Sequence, residues 1–314
     1  MRVLITGGAG FIGSHIVHGL VAEGHEVMVL DNLSSGRREN VPAGAAFRQL
    51  DLRDREAVRQ LVAEFRPEAV SHQAAQASVA VSVREPHLDA EVNILGGLNL
   101  LDACTAPGAN VKRFVFASTG GAIYGEVPEG TQATEATGSN PQSPYAIHKL
   151  AFEQLMGVYA KHRGLETRVL RYANVYGPRQ DPHGEAGVIA IFFDAALSGK
   201  GIRINARRSV GDAGCVRDYV FVSDVAQVNR LALYGQVTEP VVNLATGVPI
   251  TTRELAETIL KVTGRSVPLE PAPSRPGDLE RSVIQPTLAL RYIERLTPLE
   301  EGLRQTHAFY ASSR

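Results

Sequence analysis

RVLITGGAGFIGS, Arg2 to Ser14, decides how the rest of the chain is read. Val3–Thr6 is a short apolar run with strand character, and Phe11–Glu23 has helical periodicity with Gly24 just past its end. Between them Gly7, Gly10 and Gly13 follow G-x-x-G-x-x-G. One glycine permits a tight turn, a second lets backbone approach a pyrophosphate, and a third lets helix and strand pack closely. The helix N-terminus then offers free N–H groups and a positive dipole end to phosphate. The spacing alone is weak, but its position between a strand and a helix makes it a dinucleotide-binding turn.

The pattern continues outward. Glu26–Asp31, Phe47–Leu50, Ala69–His72, Arg113–Ser118 and Thr167–Arg171 read as strands. Asp54–Phe65 (with Asp54 as N-cap), Leu88–Ala106 and Pro144–His162 read as helices. Such alternation predicts an α/β fold, a doubly wound parallel sheet of the Rossmann type. After about residue 175 Gly and Pro become frequent, as in Tyr176–Gly187 and Pro268–Gly277. Helical patterns recur at Gly187–Leu197, Ser223–Leu233 and Thr252–Val262, with a strand at Val241–Leu244. The expected division is a cofactor domain over 1–175 and a smaller α/β substrate domain over 176–314, with interleaved segments.

Composition excludes several classes. A 314-residue chain with 44% apolar residues, 21% charged residues and a net charge of −1 carries no basic block for nucleic acid. No apolar run is long enough to cross a membrane. Cys104 and Cys215 form no C-x-x-C, and the N-terminal strand leaves no room for a signal peptide, so a cytoplasmic protein is expected. His72 has no metal-ligand spacing around it and reads as an interior histidine.

Residue types then suggest roles. Asp31 ends the second strand 18 residues beyond Gly13, where an acid accepts from the adenosine ribose and disfavours a 2′-phosphate. Arg37 and Arg38 lie close enough to offset that preference. Asp51-Leu52 can reach an adenine edge, and SHQAAQA, Ser71–Ala77, lets a cofactor lie flat across the strand ends. FASTGGAIYG, Phe116–Gly125, puts the Ser118 and Thr119 hydroxyls at a strand end. SPYAIHK follows, with Ser143 as N-cap, Pro144 in the first turn, and Tyr145 and Lys149 on one helix face.

Together TGGAGFIGS, Asp31, the strand-end hydroxyls and Tyr145-x-x-x-Lys149 resemble the extended short-chain dehydrogenase/reductase family. LRYANVYGPRQ (Leu170–Gln180), CVRDYVFVSDVA (Cys215–Ala226) and RPGDLERS (Arg275–Ser282) look like segments of its nucleotide-sugar epimerases. The resemblance implies NAD as cofactor, a UDP-sugar as substrate, a homodimer through the helices at 88–106 and 144–162, and catalysis by Thr119, Tyr145 and Lys149. It adds Phe11, Ile12, Asn32, Ser35 and Gly36 to the cofactor site. Gln73, Ala74, Ala75, Asn93 and Tyr172 join them further along.

The implied chemistry is exchange of UDP-glucose and UDP-galactose through a 4-keto sugar. Dehydratases of the family resemble T-D-E beside the strand-end hydroxyl, whereas this chain has Gly120-Gly121 and lacks the acid for a second proton transfer. Ser118, Thr119, Asn174, Arg217, Arg275, Asp278 and Ser282 are the expected substrate contacts. Arg217 and Arg275 suit a pyrophosphate because a guanidinium fork pairs two oxygens. Local pairs Arg217-Asp218 and Arg275…Asp278 are the competing reading. Ser282 is small where bulk would exclude an N-acetyl group. Another nucleotide-sugar reductase or epimerase, or a non-catalytic NAD-binding module, remains open at this point.

Overall fold

The computed structural model describes residues 1–182, 187–275 and 277–312. Part of the Tyr176–Gly187 stretch (183–186) and Pro276 of RPGDLERS lie outside the described residues.

The first half runs β1 (Arg2–Thr6), α1 (Phe11–Ala22), β2 (Glu26–Asp31), β3 (Ala46–Gln49), α2 (Arg55–Phe65), β4 (Ala69–His72), α3 (Val79–Arg84), α4 (Pro86–Ala90), a π-helical turn (Glu91–Gly96), α5 (Gly97–Cys104) and β5 (Arg113–Thr119). Then come α6 (Gly120–Ile123), α7 (Pro144–Arg163), β6 (Glu166–Tyr172), β7 (Asn174–Tyr176), α8 (Val188–Leu197), β8 (Ile202–Asn205), β9 (Val216–Arg217) and β10 (Tyr219–Phe221). The chain ends with α9 (Val222–Leu233), β11 (Val241–Leu244), β12 (Ile250–Thr251), α10 (Thr252–Thr263), β13 (Leu269–Ala272), β14 (Arg281–Ser282) and α11 (Leu299–Ser312).

Asp54 caps α2 by accepting from Ala57 N, as its position predicts. The long helix expected at 88–106 is in fact α4, a π turn and α5 in succession. Pro86 starts it two residues early, where its missing N–H costs nothing. The short strands β7–β10 and β12–β14 and the helices α3 and α11 were not legible as elements, being mostly two to four residues long or lacking clean periodicity.

Two compact units result. The first comprises Met1–Thr119, Pro141–Arg171 and Val225–Val242; the second comprises Gly120–Asn140, Tyr172–Asp224 and Asn243–Arg314. The chain alternates between them, so neither is one continuous segment.

The seven-stranded sheet has the order β3-β2-β1-β4-β5-β6-β11. β1 pairs in parallel with β2 on one side and β4 on the other, so the strand order reverses at β1. Ligands of open α/β sheets bind beyond the carboxyl ends of the strands at that reversal, and the glycine turn follows β1 there. Leu4, Val70, Phe114 and Phe116 of the sheet pack with Leu100, Leu101, Phe152 and Met156 of α5 and α7 in a buried core.

In the second unit β7 pairs with β10, β8 with β13, and β9 lies between β12 and β14. Thr251 and Glu254 form a reciprocal capping box at the start of α10, and Gly264 ends that helix in the left-handed region at φ +64°.

His72 is buried among Phe114, Phe116 and Phe152, with Nδ1 2.7 Å from Thr6 Oγ1. Burial first, and the Lys149 charge second, push its pKa down to about 3. The folded protein therefore holds His72 neutral where the unfolded chain, near 6.5, takes up a proton. His72 therefore contributes a loss of stability as pH drops below about 6.5, of up to about 1.4 kcal/mol per pH unit. His72→Gln should flatten the urea-unfolding stability between about pH 6.5 and 5 by up to one proton's worth of slope. Identical slopes for the variant and the parent would show that His72 is not held neutral.

Candidate functional site

In the first unit the turn after β1 is built on backbone proximity. Gly7 has φ +67°, and a Cβ there would lie 2.6 Å from Ala74 N. A Cβ on Gly13 would overlap the Gly7 carbonyl oxygen. Both positions thus exclude side chains for steric reasons. Gly10 opens α1 with no side-chain cap, which leaves the first-turn N–H groups, including those of Phe11 and Ile12, for an outside acceptor.

Asp31 is buried at the end of β2, and its carboxylate accepts from Ala9 N at 2.9 Å and Leu33 N at 2.8 Å. Each oxygen keeps a lone pair for a ribose hydroxyl. A Cβ on Gly36 would come within 2.9 Å of Asp31 Oδ1, so this glycine keeps that oxygen approachable. Ser35 precedes it in the same turn region.

Arg38 turns away, its guanidinium 4.7 Å from the Phe47 ring centroid, while Arg37 lies 4.0 Å from Glu39 in an exposed pair. Asn32 donates to Asp51 at 3.0 Å, and Arg53 takes both Asp51 oxygens. The Arg53 hydrogen bonds hold the Asp51 carboxyl well below the usual carboxylate range. Its neighbour Leu52 is buried, with its carbonyl accepting from Asn99.

The loop after β4 is tied on several sides. Gln73 N donates to Thr6 O and Ala74 N to Thr6 Oγ1. The Gln73 amide donates to Ser71 Oγ at 2.8 Å and to Asn229 Oδ1 of α9 at 3.1 Å. What Gln73, Ala74 and Ala75 present is therefore largely a backbone edge. Asn93, in the π turn, donates to Gln76 O at 2.9 Å; its Oδ1 is buried without a partner. A side-chain-free cradle, a strand-end acid and an orphaned acceptor fit a bound dinucleotide.

At the end of β5 the two hydroxyls have different fates. Ser118, expected at the substrate, is buried instead, and its Oγ donates to Glu153 at 2.5 Å. Thr119 is half-buried at the strand terminus, and its hydroxyl has no hydrogen-bond partner among the described residues.

Ser143 caps α7 by accepting from Ala146 N, and Pro144 occupies the first turn. Tyr145 and Lys149 follow on one face. Lys149 is 3% exposed. Its Nζ donates to Ala117 O at 3.0 Å and lies 4.6 Å from the Phe116 ring centroid and 5.9 Å from that of Tyr145. A desolvated ammonium beside a phenol favours the phenolate. Glu153 and Arg171 also belong to this region and were missed from sequence. The available signal was spacing, since Glu153 lies one turn past Lys149.

In the second unit Tyr172 is buried, and Asn174 donates from Nδ2 to Asp218 O at 3.0 Å. Arg217 does not pair with Asp218. Its guanidinium donates to Val216 O, while Asp218 accepts from Thr246 and from Gly247 N. Burial raises the Asp218 pKa against the opposing pull of those hydrogen bonds. Ser282 pairs in register with Arg217 across β14 and β9, and its hydroxyl donates to Gly121 O at 3.1 Å. Arg275 and Asp278 form an exposed 3.2 Å ion pair with each other, the local reading.

A glycine-cradled turn after β1, a threonine at the end of β5 and a Tyr–Lys pair on α7 define a nucleotide-dependent enzyme of the short-chain dehydrogenase/reductase class. The chain belongs to the NAD dependent epimerase/dehydratase family, whose sequence profile matches residues 3–245. It is 41% identical over 317 residues to a UDP-glucose 4-epimerase of Mycolicibacterium smegmatis, covering 99% of this chain and 98% of that one. The structure of the Thermus thermophilus UDP-glucose 4-epimerase in complex with NAD is 54% identical, with a TM-score of 0.95 and full coverage of both chains. That of the Thermotoga maritima UDP-glucose 4-epimerase with UDP-glucose is 43% identical, with a TM-score of 0.92, covering 100% of this chain and 99% of that one.

Gly7→Ala should weaken NAD retention at least about tenfold, because the added methyl meets Ala74 backbone and strains a positive φ. Chromatography of nucleotide released from acid-treated protein measures this. Undiminished NAD would show that the cradle does not depend on that close approach.

Proposed function

We propose that the chain is an isomerase that interconverts UDP-glucose and UDP-galactose through a 4-keto sugar, with NAD held tightly. The observation that carries this reading is the Lys149 ammonium beside the Tyr145 ring, in a chain similar over its full length to UDP-glucose 4-epimerases.

Tyr145 removes the proton of the sugar 4-hydroxyl and later returns it. A free phenol, with a pKa near 10, is too weak a base at pH 7, and lowering it by about three units requires roughly 4 kcal/mol of preference for the phenolate. Lys149, buried and held by Ala117 O, contributes that preference. Thr119 orients the same sugar hydroxyl. When bound, NAD supplies a reversible acceptor for the C4 hydride. The 4-keto sugar turns about its pyrophosphate and presents its other face before the proton returns. Gly120-Gly121 offers no carboxylate beside Thr119, which favours this outcome over dehydration.

In this reading the first unit holds NAD through Gly7, Gly10, Gly13 and Asp31. The second unit holds the nucleoside diphosphate through Asn174, Arg217, Arg275 and Asp278. The small, buried Ser282 leaves room for the N-acetyl counterparts of both sugars. Free Cys104 and Cys215 suit a cytoplasmic protein. No helix among the described residues is long and apolar enough to cross a membrane. The assembly is a homodimer: Val83, Leu95, Ile147 and Val158 are all at least half exposed on α3, the π turn and α7, and a second copy would cover them.

Tyr145→Phe should lower turnover of UDP-galactose by about 10²–10⁴-fold. The parent protein should interconvert the two sugars with no net gain in absorbance near 340 nm. Stoichiometric consumption of cofactor would instead mark a reductase. For the assembly, the Leu95→Glu/Ile147→Glu variant should elute as a monomer in size-exclusion chromatography with light scattering. A parent that is already monomeric sinks the dimer.

A further inference from the structure

Ser118, Glu153 and Arg171 form a buried chain that the proton transfer does not use. Ser118 donates to Glu153 Oε1 at 2.5 Å. Arg171 donates to the same carboxylate from its terminal nitrogen at 2.5 Å and from Nε at 3.0 and 3.2 Å. The Arg171 and Glu153 side chains are 8% and 6% exposed. Such a pair is an inefficient way to stabilise a protein, because desolvating both ions offsets most of their attraction. Apolar side chains of similar volume would serve stability as well. The geometry it imposes is therefore the more informative feature.

Tyr145, Lys149 and Glu153 recur every fourth residue along one stripe of α7. Lys149 reaches the carbonyl of Ala117, and Glu153 reaches the hydroxyl of Ser118. The helix is thus fastened to consecutive residues of β5, immediately before Thr119. Arg171 fastens the same carboxylate to β6. It also occupies a carboxylate that, left unpaired one turn beyond Lys149, would draw the ammonium away from Ala117.

We infer that Ser118, Glu153 and Arg171 are positioning residues that set the register of Tyr145 and Lys149 against Thr119. They touch neither sugar nor cofactor, and the inference rests on the epimerase reading above.

Ser118→Ala removes the link while keeping the ion pair. It should lower kcat for UDP-galactose about tenfold with KM unchanged within about twofold, since misplacement of reacting groups acts on the chemical step. Ser118→Thr restores a hydroxyl and should recover most of kcat. Independently of turnover, amide hydrogen exchange over residues 113–120 should be faster in Ser118→Ala than in the parent. A raised KM with unchanged kcat would mean that Ser118 binds sugar directly, and overturns the inference. So would unchanged kcat together with unchanged exchange.

Should Ser118→Ala fold poorly, the charge pair gives a second test. Arg171→Met should cost more kcat than the Glu153→Gln/Arg171→Met double variant, in which no buried carboxylate competes for Lys149. The reverse order overturns the inference. A parent that interconverts no sugars defeats the epimerase reading, while the exchange comparison still decides the link between Ser118 and the strand end.

Discussion

A positive charge with almost no access to water sets the terms for the first unit. The Lys149 ammonium has the Ala117 carbonyl and the faces of the Phe116 and Tyr145 rings near it in place of bulk water. Buried charges persist only where their surroundings compensate them. The surroundings here are consistent with that demand. His72, whose protonation Lys149 opposes, is kept neutral by its apolar cage. Glu153 is neutralised by Arg171 instead of by the lysine. The charge of Lys149 is left to act on the Tyr145 phenol beside it.

The cofactor end of the same unit is governed by shape. The turn after β1 and the loop after β4 approach until backbone meets backbone, and the glycines are where that approach occurs. Thr6 serves both loops. Its carbonyl accepts from Gln73 N, while its hydroxyl lies between Ala74 N and His72. Steric fit at one end and charge confinement at the other are joined through the buried histidine.

Much of this was legible in the sequence because local rules decide it. The glycine turn, Asp31, the Ser143–Pro144 start of α7 and the Tyr145–Lys149 spacing each follow from residue type and period. The strands of the doubly wound sheet were legible for the same reason, being apolar runs between turn signals. Tertiary pairing was not legible. Nothing local says that Ser118 spends its hydroxyl on Glu153, or that Arg217 turns from Asp218 to its own preceding carbonyl. The two-residue strands β9, β12 and β14 exist only because partners distant in sequence line up beside them. The π turn at Glu91–Gly96 was hidden too, since one extra residue in a helix barely disturbs its apolar pattern.

Asn229 lies far along the chain, yet its side chain holds Ser71 and Gln73 beside the glycine turn. The first unit also takes in Val225–Val242. During synthesis, the glycine turn and the Tyr–Lys helix leave the ribosome long before the helix that secures the β4 loop. A nascent chain ending near residue 175 would carry the recognisable nucleotide motif without the side chain that steadies its facing edge. The first unit is complete only with residues up to Val242.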